Sequence, residues 1–563
     1  MQYIKKIILT LFFVFASNSF ALDTYDHVTN QLSISAVIVG DTVYKDVVIT
    51  VDSILSVGGS STDLRYIPKT TNTTDKYDSL TNQLTIPNVI AYGINYYDVT
   101  IKVGTILAVG NSQNLASFYD SWLLTNLKKT GSISISSNAP LKEGHFDLLA
   151  VGDLNGDGYD DLVIGPKVIT STATNFEYVK LIIAFYNPKT KLFETDSLLQ
   201  STMPSMQFSH KAIIADFNKD GINDLFVSGT GPDQGQPCGE RSVLMLGSST
   251  GLVDASHLLP GKSAYTHQIV FGDFNKDSFT DIYMLNNPWI SDSPSATAYC
   301  NTYVKYPSTI EQFLISTKNW TTTTPTFNDP ILGVVLGAPF GGYTSATSGD
   351  FDNDGNLDIV VYGENGIKNN VIIMFGDGKG NFVRSARFLL QTFGKGTVAG
   401  AMSAKDLDGD GIPELVINTA EQTTEMGFQG SAFSVLKYQA QSNSIVDVTS
   451  TYFSTSVFKT VDSDVVFCNY ILWKDLNNDG KDDLICSVMR TYQYNDSKSS
   501  PRIMIKKSTG KFEPAYHKNF NIVGNLGSIF PIKIDGVNKI VGISNLGTNF
   551  DSGNTVIDIQ IAE

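Results

Sequence analysis

The chain is poor in cysteine, histidine and positive charge, and each shortage removes a class of protein. Four cysteines in 563 residues are too few for a disulfide scaffold, although an oxidising compartment lets them pair where geometry permits. The six histidines, His27, His145, His210, His257, His267 and His517, fall in no metal-ligand spacing. No Gly-x-Ser-x-Gly elbow or phosphate-cradling glycine loop accompanies them, so the sequence offers little support for catalysis. Lysine and arginine number 40 against 56 acidic residues, a balance that repels nucleic acid. Long apolar runs are also missing, and with them any transmembrane segment, which needs roughly 18 to 20 such residues. The short run Ile7 to Ala16 follows Lys5 and Lys6 and precedes Ser19 and Ala21. That is the pattern of a signal peptide over residues 1–21, with a mature chain from about Leu22. No cysteine lies at the cleavage point to accept a lipid. The expected product is exported and soluble, whether secreted, periplasmic or held at the cell surface.

What the chain has in plenty is one acidic pattern of nine residues. It is fullest at Asp350, Asp352, Asp354, Gly355, Asn356 and Asp358. Oxygen side chains at positions 1, 3, 5 and 9, with the carbonyl of position 7, can surround one hard cation, and an oxygen-only cage of this kind selects calcium. Glycine suits position 6 because the tight loop demands a positive φ. Five further copies occur. The first uses Asp153, Asn155, Asp157, Tyr159 and Asp161, with Gly158 at position 6; the second uses Asp216, Asn218, Asp220, Ile222 and Asp224, with Gly221. The third, Asp273, Asn275, Asp277, Phe279 and Asp281, has Ser278 where glycine is expected. After the fourth, at Asp350, come Asp406, Asp408, Asp410, Ile412 and Glu414, then Asp475, Asn477, Asp479, Lys481 and Asp483. An EF-hand shares the first six positions but takes its last acid at position 12, beside a helix. Here that acid stands at position 9, before β-branched residues.

The six loops hold 20 carboxylates, and the chain without its two signal lysines has 38 basic and 56 acidic residues, a net charge of −18. Six divalent ions would reduce that to about −6. The acidity is mostly a property of these loops.

Each loop follows one apolar run and precedes another, such as Phe146 to Val151 and Leu162 to Ile164, which puts it in the turn of a β-hairpin. The loop starts lie 63, 57, 77, 56 and 69 residues apart. A unit of about 64 residues with up to four short strands fits a propeller blade, and the 449 residues from 115 to 563 make room for seven. The seventh blade is expected at Ser528 to Ala562, without a cation site, its fourth strand supplied by Ser132 to Ser136. Before the propeller, Tyr25, Asp26, Asn30, Leu32 and Ile34 recur as Tyr77, Asp78, Asn82, Leu84 and Ile86, 52 residues later. The reading is therefore all-β: a seven-bladed β-propeller with calcium loops in six blades, preceded by a small β-rich tandem repeat. Its boundaries are a signal peptide at 1–21, a tandem-repeat module at 22–114, a linker helix at 115–130 and the propeller at 131–563.

Gly-Asp-Leu-Asn-Gly-Asp-Gly-Tyr-Asp-Asp-Leu-Val-Ile-Gly at 152–165 and its five relatives resemble FG-GAP or VCBS-type repeats. Such repeats build the calcium-binding propellers of integrin α-subunits and of many exported bacterial proteins. The resemblance implies up to six calcium ions in the hairpins between first and second strands, and ligands on the opposite face. There the connections of the second and third blades are enlarged. Gly229 to Arg241 holds Cys238, and Leu285 to Tyr306 holds Trp289, Tyr299 and Cys300. Matching positions in adjacent blades favour a Cys238–Cys300 disulfide, whereas Cys468 and Cys486 are read as buried free thiols. Trp289 and Tyr299 are then candidates to stack on a sugar or anchor a protein. The function expected is a monomeric binding or adhesion module for a carbohydrate or protein ligand, with no nucleic-acid partner. The alternatives are a propeller-type polysaccharide lyase or glycoside hydrolase, and a structural component of a surface assembly.

Overall fold

The computed structural model describes the chain from Asp23 to Ala562, apart from residues 27, 40–41, 58, 62–74, 92–93, 110–111, 115–126, 137–144, 168–177, 232–238, 249–250, 260–265, 287–312, 324–341, 365–369, 394–396, 425–426, 455, 459–467, 489–502, 516–527 and 546–553. The signal segment 1–21, most of the expected helix at 115–130, and Cys238, Trp289, Tyr299 and Cys300 lie outside the described residues. The end of that helix is corrected: Leu127 to Thr130 begin a β-strand, Leu127–Ser136. Antiparallel pairing with Asn554–Ala562, with one register shift between Ile559 and Gln560, overrides the local helical spacing of Thr130 and Ile133.

The described chain is almost wholly β. Its two tandem repeats form strands in identical order, the first three shifted by 52 residues, beginning at Asp23–Asp26 and Asp75–Asp78, and the short fourth, Gly59–Ser61 and Ser112–Asn114, by 53. The repeats are not two separate hairpin modules. They interlock in one eight-stranded sheet, in which Asp23–Asp26 pairs parallel with Gln83–Ala91, and Gln31–Val39 pairs parallel with Asp75–Asp78. Thr42–Ser56 and Ile94–Ala108 join them antiparallel. Leu32, Ile34, Val47 and Ile49 pack with their equivalents Leu84, Ile86, Val99 and Ile101 in one core. Each repeat carries the same clamp: Tyr25 Oη donates to Asn30 Oδ1 at 2.6 Å and Tyr77 Oη to Asn82 Oδ1 at 2.7 Å. Asn30 and Asn82 both take φ 55°, a left-handed value that asparagine tolerates better than most residues.

From His145 onward the described residues form seven successive sheets with the four-stranded order of a propeller blade. The first consists of His145–Gly152, Asp161–Lys167, Ile182–Asn187 and Leu192–Glu194; the fifth adds a short strand, Val457–Phe458, to its third. The first strand of every sheet contacts that of the next, and the seventh, Ile529–Ile534, contacts the first, His145–Gly152. The series therefore returns on itself.

Seven apolar clusters fill the gaps between neighbouring sheets among the described residues. Strand alternation builds them: Leu148, Leu162 and Ile164 face the gap toward the seventh sheet, and Leu149 and Val163 face the gap toward the second. The second strands are buried on both sides, as in Asp161–Lys167, where every residue is buried, so they read as continuous apolar runs.

The seventh sheet is completed from the far end of the chain. Leu127–Ser136 pairs antiparallel with Asn554–Ala562, where Ile557 opposes Ile133 and Asn554 opposes Ser136. The expected Ser132–Ser136 strand is thus present and five residues longer at its start. Asp558, buried, accepts from Ser132 Oγ at 2.7 Å and pairs with Lys129 Nζ at 2.6 Å, which fixes the register of this closure.

In the N-terminal sheet, burial drives the Asp75 carboxyl well above its ordinary range, and the charge and hydrogen bond of Asp23, its repeat equivalent, push the same way. A pKa raised on folding contributes stability that is complete below the unfolded value near 4 and is lost as pH rises through the folded value. Asp75→Asn, which keeps the shape without the charge, is expected to melt higher than wild type at pH 8, with the difference shrinking toward pH 5. Scanning calorimetry of the full chain tests this, and equal melting of the two proteins at pH 8 contradicts it.

Candidate metal loops

All six loops sit where the sequence puts them, between the first and second strands of the first six sheets. Position 1 shapes the loop by accepting backbone N–H groups. Asp153 Oδ2 takes the N–H of Gly158 at 2.8 Å, Asp216 that of Gly221 at 2.9 Å, Asp350 that of Gly355 at 2.9 Å, Asp406 that of Gly411 at 2.9 Å and Asp475 that of Gly480 at 2.8 Å. Position 5 accepts the N–H of position 7, as Asp157 does from Tyr159 and Asp479 from Lys481, both at 2.9 Å. Asp220, Asp277, Asp354 and Asp410 repeat the contact to Ile222, Phe279, Asn356 and Ile412.

The third loop keeps this geometry despite its serine. Ser278 takes φ 73°, beside values of 82–90° for the five glycines, and donates its N–H to Asp273 at 2.8 Å. The substitution adds strain of about 1 kcal/mol without altering the turn. A second left-handed position, number 4, had no clear signal in the sequence. It is filled by Gly156, Lys219, Lys276, Asn353, Gly409 and Asn478, all at positive φ. Four non-glycine residues there hide the requirement.

Position 9 anchors the loop to the sheet. Asp161, Asp224, Asp281, Asp358, Glu414 and Asp483 are fully buried. Each accepts the N–H of position 2 in its own loop: Leu154, Phe217, Phe274, Phe351, Leu407 and Leu476, at 2.8–3.1 Å. In four loops the second oxygen takes an N–H from the third strand, at Tyr186, Gly247, Gly376 and Lys506. Burial nonetheless pushes the carboxyls of Asp161, Asp281, Asp358 and Asp483 up to about 7, and the loop acids at positions 1 and 5 add to the shift. Burial raises Asp224 as well. Two N–H groups do not compensate a carboxylate set among others, whereas a cation at the loop centre would.

The donor set therefore fits a hard cation. Oxygens of Asp350, Asp352 and Asp358 lie within 4.8 Å of one another, as do those of Asp406, Asp408 and Glu414. Asp352 Oδ1 is buried with no hydrogen-bond partner; the other oxygen meets the Arg384 guanidinium. The Asn amides of the first two loops turn an N–H toward position 5, Asn155 to Asp157 at 3.1 Å and Asn218 to Asp220 at 3.0 Å, and a bound cation would face their oxygens. The fifth loop differs. There Lys437 Nζ lies 2.6 Å from Asp408 Oδ2 and 2.7 Å from both Asp410 Oδ2 and Glu414 Oε1.

Along the first strands runs a cavity of about 360 Å³, lined by Lys211, Gln268 and Tyr470 toward the far end and by Val151, Ile214 and Phe271 nearer the loops. Lys211 Nζ donates to Asn469 Oδ1 at 2.8 Å and stands 3.9 Å from the centre of the Tyr470 ring. Burial, then the charge of Lys167, holds its ammonium well below the ordinary lysine range. Lys167 pairs with Asp147 at 3.0 Å, both wholly buried. The sequence reading assigned this group no role, since its members come from strands far apart in the chain.

The cysteine assignment is corrected at one point. Cys468 and Cys486 are not free thiols but a disulfide, Cα to Cα 5.1 Å. Simple hairpin counting sets Cys468 on the opposite face from Cys486. A bulge between Cys468 and Tyr470 instead brings Cys468 opposite Val488, two residues from Cys486 and on its face.

A closed series of four-stranded sheets, six of them with an acidic loop in the first hairpin, defines a β-propeller. The chain carries FG-GAP-like repeats, matched at residues 209–284 and 350–417, and each match spans two loop-bearing hairpins. Phosphatidylinositol-glycan-specific phospholipase D of Rattus norvegicus is 29% identical over 153 residues, 26% of this chain and 18% of that relative. The chain therefore matches less than a fifth of that protein's length. Among solved structures, the Dos1 propeller aligns with 77% of this chain and 95% of its own at 9% identity and TM-score 0.33. The NanB sialidase from Streptococcus pneumoniae aligns with 86% and 82% at 11% identity and TM-score 0.35.

Asp358→Ala removes the acceptor of two backbone N–H groups, Phe351 and Gly376. It is expected to destabilise the chain by about 2–4 kcal/mol, measured by urea denaturation in EDTA so that cation binding does not contribute. Stability unchanged within 0.5 kcal/mol or so would show that the two groups find other acceptors.

Proposed function

We propose that this is an exported, calcium-stabilised binding module. Residues 127–563 form a seven-bladed ring, joined to an N-terminal repeat module at 22–114, and the loops whose centres are lined by oxygen alone hold calcium. The observation that carries this reading is the recurrence of one cage, in register, with its last acid buried beneath it every time. An Asx-rich turn without a metal has no need to bury that acid. The Cys468–Cys486 disulfide suits an oxidising compartment, and among the described residues no helix is long and apolar enough to cross a membrane.

The ligand is a carbohydrate or protein met on the face opposite the loops. Trp289 and Tyr299 are its contacts, carried on connections joined by a Cys238–Cys300 bridge. A second reading, an enzyme that eliminates across a polysaccharide linkage, draws on Lys211. An amine with a lowered pKa beside a cavity has the properties of a general base. Turnover of anionic polysaccharides, abolished in Lys211→Met, would favour that reading.

Extracellular oxygen cages hold calcium with dissociation constants of about 0.1–1 mM, so tenfold excess adds roughly 1.4 kcal/mol per site. Five such loops sum to about 7 kcal/mol, comparable with the whole stability of a domain. EDTA is expected to lower the melting temperature sharply and added calcium to restore it. A melting curve unmoved after metal analysis shows the ions gone would refute the calcium reading. Glycan-array and protein-capture screens with and without calcium test the ligand role: binding should require calcium and weaken at least tenfold in Trp289→Ala, and binding indifferent to both would exclude it.

A further inference from the structure

The fifth loop has four carboxylates, Asp406, Asp408, Asp410 and Glu414, so by charge it ranks with the fourth as the strongest calcium ligand set in the chain. Its geometry says otherwise. We propose that the Lys437 ammonium is the resident cation of this loop and that no calcium binds there. The inference deepens the calcium reading of the other loops and rests on it.

The amine contacts positions 3, 5 and 9 of the cage at once, at 2.6, 2.7 and 2.7 Å. An ammonium has three N–H donors and no acceptor; two donate to Asp408 and Asp410, and Glu414 Oε1, which takes no hydrogen bond, meets the charge at 2.7 Å. The lysine side chain is only 22% exposed and Glu414 is wholly buried, which shields the group from screening by water and salt. A calcium ion could enter only by expelling the amine into a setting where the two positive charges stay close.

The third strand puts the amine there. Leu415 pairs with Leu436, which leaves Lys437 beside Glu414. At the same register step the other loop-bearing sheets carry Phe185, Leu246, Ser316, Phe375 and Ile505. None of those side chains is a cation. The fifth loop is also alone among the six in ending on glutamate, whose extra methylene carries the carboxylate out to the amine. The fourth loop gives the contrast. Arg384 reaches only one oxygen of Asp352 while its guanidinium lies over the Phe375 ring, 3.6 Å from the centroid. Asp350, Asp358 and the buried, unpartnered Asp352 Oδ1 stay available.

The fifth sheet is then held by an internal ion pair at any calcium concentration, while its neighbours depend on the ion. The test is calcium stoichiometry of the full mature protein, stripped with EDTA, equilibrated with calcium chloride at 5 mM or so, about fivefold or more above the expected dissociation constants, and counted by native mass spectrometry. Lys437→Met, which keeps the length and removes the charge, is expected to bind one ion more than wild type. Asp408→Asn is expected to leave the wild-type count unchanged, and Asp352→Asn in the fourth loop to weaken one ion. No gain in Lys437→Met overturns the proposal whatever the wild-type count, and so does an ion lost in Asp408→Asn. A wild type that binds no calcium while Lys437→Met binds one would instead reject the calcium reading of the other loops and keep this one.

Discussion

A buried carboxylate at the end of each loop is the constraint on which the rest of the ring depends. Asp358 and its five equivalents join three parts of a sheet: the loop, through the N–H of position 2; the second strand, which it begins; and in four cases the third strand. The group lies at the edge of an apolar core, where an anion is poorly solvated, and its pKa rises accordingly. The same position that organises the hairpin thereby creates a demand for positive charge at the loop centre. Calcium or a lysine ammonium would meet it, and the acidic balance of the chain follows from using the device six times.

Between these anchors the stabilisation is hydrophobic and local. Each apolar cluster belongs to one pair of neighbouring sheets, so no single core spans the ring. The second strands, buried on both faces, are shared between successive clusters, as Leu162 and Val163 are. Such a chain of nearest-neighbour contacts is stable only if its ends meet, because an open ring leaves an apolar face and a strand edge bare. Leu127–Ser136 covers both, and the Asp558 contacts to Ser132 and Lys129 hold it in register. Stability of the whole therefore couples residue 127 to residue 562, across nearly the full length of the ring.

The sequence spoke clearly wherever the constraint was local. Nine-residue loops, apolar runs beside them and the 52-residue repeat need no knowledge of distant partners. Four features turned on strand register instead, and the sequence alone does not state register. The Cys468–Cys486 bridge exists because one bulge moves Cys468 to the other face. Lys437 reaches the fifth loop because Leu436 pairs with Leu415. The 52-residue repeat marks the tandem units but not how they pair: their first strands cross to the neighbour, which sets Asp23 against Asp75. The Lys211 group gathers residues that open different first strands and meet only when the ring closes.

The two ends of the first strands have opposite electrostatic character, and this bears on how calcium and ligand would be related. Loop carboxylates crowd one end, whereas Lys167, Lys211 and His210 lie buried near the other with Asp147 as the acid paired to Lys167. Without calcium, the loop end carries a large uncompensated negative charge, and mutual repulsion within each cage acts directly on strands that run the depth of the ring. Neutralising the loops relaxes that repulsion at the ends where Asp153, Asp216 and Asp475 begin. The same first strands carry Lys211 and Tyr470 at their opposite ends. Calcium held in the loops would stiffen the first strands that also line the cavity, so a dependence of ligand binding on calcium would follow from shared strands rather than from shared contacts.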